Sequence, residues 1–218
     1  KTAISLEHTI ECLNYISKNI DNNETAISYA KMSYELGIEA AELFEQIKNH
    51  EKIYIKINNA INNALFIAEK STNIDEKIEY AIKAYEKRNQ VVEIMEKAVE
   101  NGELLESDMM KFCKISDYKL YELIAESAET IALITEDISQ KVDFLKKANN
   151  ASKKATGKAI RKFLNTTNIT EERIKYNQFI QYELLSIIKR DLYLSILDNN
   201  PEYREEALSL TKTVEIKA

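Results

Sequence analysis

Three glycines and one proline in 218 residues constrain what this chain can fold into more than any motif it carries. These residues punctuate turns, sheets and phosphate-cradling loops, so their scarcity argues against a barrel, a sandwich or a nucleotide-binding α/β fold. The backbone is expected to be nearly all helix. Apolar residues at 44% and charged residues at 30% make the chain too apolar for disorder and too charged for a membrane protein. No apolar run reaches the roughly 18 residues of a membrane span, and no signal peptide is evident. What remains is an all-α protein, expected in the cytoplasm, long enough to bury a real core.

Within that class the chain repeats itself. Residues 64–84 overlay residues 128–148 without a gap, at an offset of 64 residues. Ala64, Ile67, Ala68, Ile74 and Lys77 answer to Ala128, Ile131, Ala132, Ile138 and Lys141. Ile78, Glu79, Tyr80, Lys83 and Ala84 answer to Val142, Asp143, Phe144, Lys147 and Ala148. In the middle of each block a polar break, Ser71-Thr72-Asn73 or Thr135-Glu136-Asp137, ends in a residue suited to cap the next helix. Asn22 opens a similar helix containing Ala30 and Tyr34, and Asn200 precedes Pro201, a residue favoured in a first turn. Caps at 22, 73, 137 and 200 predict four antiparallel αα hairpins. Their eight helices are expected over about 3–20, 24–49, 51–71, 75–101, 107–136, 138–164, 170–199 and 201–216. The links Asn101-Gly102-Glu103 and Asn165-Thr166-Thr167-Asn168 are too short to separate domains, so residues 1–218 read as a single helical-repeat domain. The start at Lys1 instead of Met suggests a part of a larger protein.

Ala81-Ile82-Lys83-Ala84-Tyr85-Glu86-Lys87 resembles the second helix of a tetratricopeptide repeat, where a small residue followed four later by an aromatic lets two helices approach closely. Ala30 and Tyr34 match this in the first hairpin, and the run from Pro201 to Leu208 is similar in the last, whereas Leu145 and Asn149 take those places in the third. The family's first-helix aromatic and Leu-Gly pair are not evident, and the spacings of 51 and 64 residues exceed the family's roughly 34. The resemblance thus covers the second helices and the hairpin logic. It implies a helical-repeat scaffold that binds other proteins, either a tetratricopeptide-like stack or a compact helical bundle, and it transfers no binding residue. Tyr80, Tyr85 and Phe144 are expected in the core beside Ala81, Ala84 and Ala148, large against small.

Three surfaces are candidate binding sites. On the helix over 51–71, Ile53, Ile57, Ile61, Ala64 and Ala68 make a core stripe. Ile55, Asn59, Asn62 and Phe66 lie opposite, a mix of apolar bulk and amides suited to line a peptide groove; the alternative is that this helix is packed on two sides between its neighbours. Over 138–164, Lys147, Lys154, Lys158, Arg161 and Lys162 form a basic stripe, expected to be exposed and unpaired within the chain. It would receive an acidic partner, a phosphorylated segment or a neighbouring subunit, or remain a solvated face. Residues 170–199 are apolar nearly all round, so Leu184, Ile188, Leu192 and Leu194 are expected to be covered by a further helix, a second copy of the chain or a partner.

Catalytic constellations are lacking. His8 and His50 are the only histidines, neither stands in a metal-binding helical motif, and both read as surface residues. Cys12 and Cys113 have no CxxC spacing and read as ordinary buried thiols, not a disulfide or a zinc site. A net charge of −6 argues against nucleic-acid or anionic-membrane binding by the chain as a whole. No cofactor or metal is called for. The sequence therefore predicts a non-catalytic protein–protein interaction scaffold binding a partner peptide or helix. The alternative is a regulatory or oligomerising helical domain of a larger signalling or effector protein, with a homo-oligomer as one outcome.

Overall fold

The scarcity of Gly and Pro shows directly in the backbone. A computed structural model of the chain describes residues 3–166 and 170–215, and among these every regular element is helical. The helices are α1 (Ala3–Asn19), α2 (Asn23–Gln46), α3 (His50–Lys70), α4 (Ile74–Glu100), α5 (Glu106–Cys113), α6 (Asp117–Ile134), α7 (Ile138–Asn165), α8 (Thr170–Leu197) and α9 (Pro201–Glu215).

The predicted caps start their helices. The side-chain oxygen of Asn22 accepts the Thr25 N–H, that of Asn73 the Asp75 and Glu76 N–H groups, and that of Asp137 the Gln140 N–H. Asn200 accepts from the Glu202 N–H at 3.0 Å. Each contact satisfies a donor that the first helical turn leaves orphaned. Helix α4 stops where Gly102 turns left-handed at a φ of 71°, so that the Gly102 N–H reaches Val99 and the Glu103 N–H reaches Ala98. Lys48 does the same after α2 at a φ of 52°, and Asn49 at once caps α3 by accepting the Lys52 N–H.

Residues 107–136 do not form the one helix expected of them. Helix α5 ends at Cys113, Lys114 turns left-handed at a φ of 57°, and α6 begins at Asp117 behind Ser116 in the capping position. Ser and Asp compete for backbone hydrogen bonds in a helix interior and favour its start, which explains the break. There are accordingly nine helices among the described residues instead of eight. The short α5 folds onto α3, where the Tyr54 and Phe112 rings lie 5.8 Å apart and the Tyr54 hydroxyl donates to the Cys113 carbonyl. Thr167 and Asn168 of the second predicted link, and position 216 of the last predicted helix, lie outside the described residues.

The contacts divide the chain into two compact units, residues 1–115 and 116–218. In the first, α1 to α4 pack each against the next, and α5 covers part of α3. In the second, α6 to α9 pack in the same serial way. Loops of three residues between α1 and α2, α3 and α4, α6 and α7, and α8 and α9 make these pairs antiparallel hairpins. Small residues set the helix spacing: a methyl group on Gly37 of α2 would meet the Ala60 Cβ of α3 at 3.4 Å.

The internal repeat holds at the level of single bonds. The Ser71 N–H donates to the Ile67 carbonyl at 2.9 Å, and the Thr135 N–H donates to the Ile131 carbonyl at 3.0 Å. The Lys77 and Lys141 N–H groups return to the carbonyls of the capping residues Asn73 and Asp137. Ala64, Ile67, Tyr80 and Ala84 are buried, as are Ala128, Ile131, Phe144 and Ala148. Tyr85 departs from expectation and is only half-buried, because five residues beyond Tyr80 its side chain has rotated by about 140° round α4.

Candidate interaction surfaces

Helix α3 buries Ile53, Ile57, Ile61 and Ala64 as expected, and Tyr54, Lys56, Ala60 and Asn63 as well, whereas Ala68 of the expected stripe is only half-buried. It is wedged between α2 and α4. Lys56 is buried because its ammonium meets Glu7 of α1 at 2.8 Å; Lys56 and then Lys52 hold that carboxyl below its usual range. On the outer side Ile55, Asn59 and Phe66 are half-buried and Asn62 is exposed.

The basic stripe of α7 is largely paired, contrary to expectation. Lys147 bridges Asp143 at 2.7 Å, while Lys158 and Lys162 lie 3.5 and 2.9 Å from the two Asp117 carboxylate oxygens at the start of α6. Lys154 and Lys158 stand over the Tyr121 ring at 5.4 and 5.5 Å. The pairing follows from Asp117 sitting in the first turn of α6, where a carboxylate is favoured, with the end of α7 running antiparallel beside it. Lys154 and Arg161 remain exposed.

Helix α8 has two distinct sides. Leu184 and Leu194 are buried within the fold, which removes them from the expected interface; Ile188 is half-buried and Leu192 is 44% exposed. The solvent-facing apolar residues are instead Ile174, Tyr182, Leu185, Leu192 and Ile196, at exposures from 44% to 75%. At about 100° per residue these fall within an arc of roughly 80°, opposite Phe179, Glu183, Ile187 and Leu194, which point into the core. Tyr193 flanks the stripe and Lys189 lies on it.

The inward side of α8 carries a polar network that sequence reasoning missed. Arg190 Nε donates to Glu129 of α6 at 2.9 Å, and its Nη1 donates to Ser152 at 2.9 Å and Asn149 at 3.3 Å on α7. Asn149 in turn donates to Asp191 Oδ1 at 2.5 Å. Glu183 and Asp191 are 2% and 1% exposed, and Glu183 Oε2 and Asp191 Oδ2 accept no hydrogen bond. Burial pushes the Asp191 carboxyl up to about 6, with Glu206 adding to the shift and Lys153 opposing it. Burial likewise raises Glu183, against the Ser152 hydrogen bond. The signal was available: Glu183, Arg190 and Asp191 share one helical face with Ile187 and Leu194, an unusual place for three ionisable groups. These bonds tie α8 to α6 and α7 and so fix which side it turns outward.

His50 is not the surface residue expected. Its side chain is 13% exposed, with Nε2 3.6 Å from Glu103. Cys12 is exposed and Cys113 buried, so only the second matches its expectation. Among the described residues no group of three or more His, Cys, Asp or Glu is disposed to hold a metal ion, and no helix is long and apolar enough to cross a membrane.

No protein-family model matches the chain, and no curated protein matches it. Among solved structures it is similar to a de novo designed helical repeat protein, DHR64, at 13% identity over 98% of this chain and 91% of that one, with a TM-score of 0.50. It is similar to the DHF58 filament at 13% identity over the same shares, with a TM-score of 0.52. A chain from a computational design of self-assembling cyclic homo-oligomers aligns at 17% identity over 99% and 91%, but its TM-score of 0.47 is too low to carry an argument. At such identities the likeness concerns the fold alone: an all-α, helical-repeat arrangement of hairpins.

Proposed function

We propose that this chain is a non-catalytic scaffold, tetratricopeptide-like in its hairpin logic, that docks a helix or peptide of a protein partner on the outward faces of its first helices, above all α8. The observation that carries this reading is the exposed stripe Ile174, Tyr182, Leu185, Leu192 and Ile196 on a helix whose opposite side is pinned by Arg190. A contiguous apolar patch of several hundred Å² on a protein surface commonly marks an interaction site. The anchors follow one another by eight, three, seven and four residues, one or two turns apart on one face, which suits the apolar face of a partner helix. Ile55, Asn59, Asn62 and Phe66 on α3 offer a second, shallower face, and Lys154 with Arg161 offer charge for an acidic segment.

A test compares affinity capture from cell extract by the wild type and by a Leu185→Glu/Ile196→Glu variant. The reading expects a protein retained by the wild type and lost from a variant that melts at an unchanged temperature. Identical captured sets would overturn it. A second reading, an oligomerising domain within a larger signalling or effector protein, is favoured by one observation, the symmetric spacing of the α8 stripe about Leu185.

A further inference from the structure

We infer that the occupant of the α8 stripe is the α8 helix of a second copy of this chain, packed antiparallel across a two-fold axis at Leu185. This rests on the stripe being a docking surface and goes on to say what docks there.

The stripe is palindromic in position, and in residue type at its two ends. Ile174 and Ile196 stand eleven residues before and after Leu185, Gln178 and Leu192 stand seven before and after, and Tyr182 and Lys189 stand three before and four after. An antiparallel pairing centred on Leu185 therefore lays every position of the stripe on or beside another position of the same stripe, with Ile174 against the partner's Ile196 at both ends. That is the requirement of an isologous interface, in which one patch is complementary to itself. The matched span covers about 33 Å of helix, and the antiparallel sense sets the two helix dipoles favourably against each other.

Lys189 favours a copy over an unrelated apolar helix. It sits in the middle of the stripe, where an unrelated partner would need a carboxylate or an aromatic ring at that one place. Across the two-fold it lies beside the partner copy's tyrosine at position 182, and the contact is made twice. The fold already uses this pairing: Lys83 lies 4.2 Å over the Tyr80 ring, Lys147 4.5 Å over Phe144 and Lys119 4.8 Å over Phe179. Area agrees. The exposed parts of the five stripe residues and Tyr193 come to roughly 600 Å², and the stems of Gln178 and Lys189 raise the surface available on one copy to about the 800 Å² that a standard interface buries.

The experiment is sedimentation equilibrium on the purified 218-residue protein across micromolar concentrations, with cysteine cross-linking alongside. The wild type is expected to dimerise reversibly. Leu185→Glu is expected to weaken the dimer by about 30-fold or more while helicity, and the melting temperature at dilutions where both proteins are monomeric, stay unchanged. In a Cys12→Ser background, Leu185→Cys is expected to form a disulfide dimer, because a residue on the axis faces itself. Ile174→Cys alone is expected to form none, and a mixture of Ile174→Cys with Ile196→Cys chains is expected to cross-link. A wild type that stays monomeric, a dimer indifferent to Leu185→Glu, or Ile174→Cys chains that cross-link to themselves each overturn the second copy as occupant. A monomer that still retains another protein through the stripe in the capture experiment leaves the docking reading standing; loss of both results sinks both.

Discussion

Lys147 stands 4.5 Å over the ring of Phe144 while bridging Asp143 at 2.7 Å, and 64 residues earlier Lys83 stands 4.2 Å over Tyr80 while bridging Glu79 at 2.6 Å. Acid, aromatic and lysine recur at i, i+1 and i+4. The acid and the lysine are one helical turn apart and meet at the surface, while the ring between them points inward and the lysine stem closes over it. What repeats in the sequence is therefore a small edge of the core as well as an apolar rhythm, and Lys147 belongs to it more than to a basic docking stripe.

Removing the ring should expose that dependence. Phe144→Ala is expected to cost about 3–5 kcal/mol, since Phe144 is buried against Ala148 and its neighbours. Tyr80→Phe keeps the ring and should cost less than about 1.5 kcal/mol. Urea unfolding of each variant measures both; a small loss for Phe144→Ala would place this face of α7 outside the core.

The four helix starts were legible because capping is local chemistry: an Asn or Asp oxygen finds an N–H two or three residues on. The break at Lys114 was less legible because Ser116-Asp117 is a cap buried in a run that otherwise reads as continuous helix. The two sides of α8 could not be told apart while its apolar residues were counted round the whole helix. The partners of Arg190 on α6 and α7, together with the burial of Phe179, Ile187 and Leu194, show which side is inward. The pairing of Lys158 and Lys162 was invisible for the same reason, since Asp117 comes from another helix.

That pairing changes what charge reversal should do. Lys162 and Asp117 are both mostly buried and form an ion pair at 2.9 Å, so Lys162→Glu, which sets a second carboxylate beside the first, is expected to cost about 1–3 kcal/mol, between an exposed and a fully buried pair. Lys154→Glu, at an exposed site over Tyr121, should stay within about 1 kcal/mol. Thermal melts of the two variants side by side check the order; equal losses would contradict the pairing.

Asp191 gives the fold a pH dependence of definite sign. Its carboxyl titrates near 6 in the folded state, chiefly because it is buried, against about 3.9 in an unfolded chain. A raised pKa means that the folded state binds the proton more tightly. The stabilisation is complete below about pH 4 and is lost as pH rises through 6. Asp191→Asn keeps an acceptor for Asn149 and removes the charge, so its melting temperature should gain on the wild type between pH 4 and pH 7.5. A difference that stays constant with pH would show that Asp191 ionises freely.

The thiols should separate cleanly. Burial pushes Cys113 up to about 12, whereas Cys12 is exposed on α1. One thiol should react with a disulfide reagent in the native protein and two after denaturation, as only a thiolate attacks. Two fast-reacting thiols in the native protein would mean that α5 does not cover Cys113.

The outward face of α8 is the claim on which the functional account turns, and hydroxyl-radical footprinting of its tyrosines measures it most directly. In dilute, unoccupied protein Tyr182 and Tyr193 should label readily while Tyr34 and Tyr80 stay protected. Once the stripe is occupied, by a captured partner or by a second copy at high concentration, Tyr182 should become protected and the internal pair should not change. Labelling of Tyr182 that is the same in the free and the occupied protein would contradict the account.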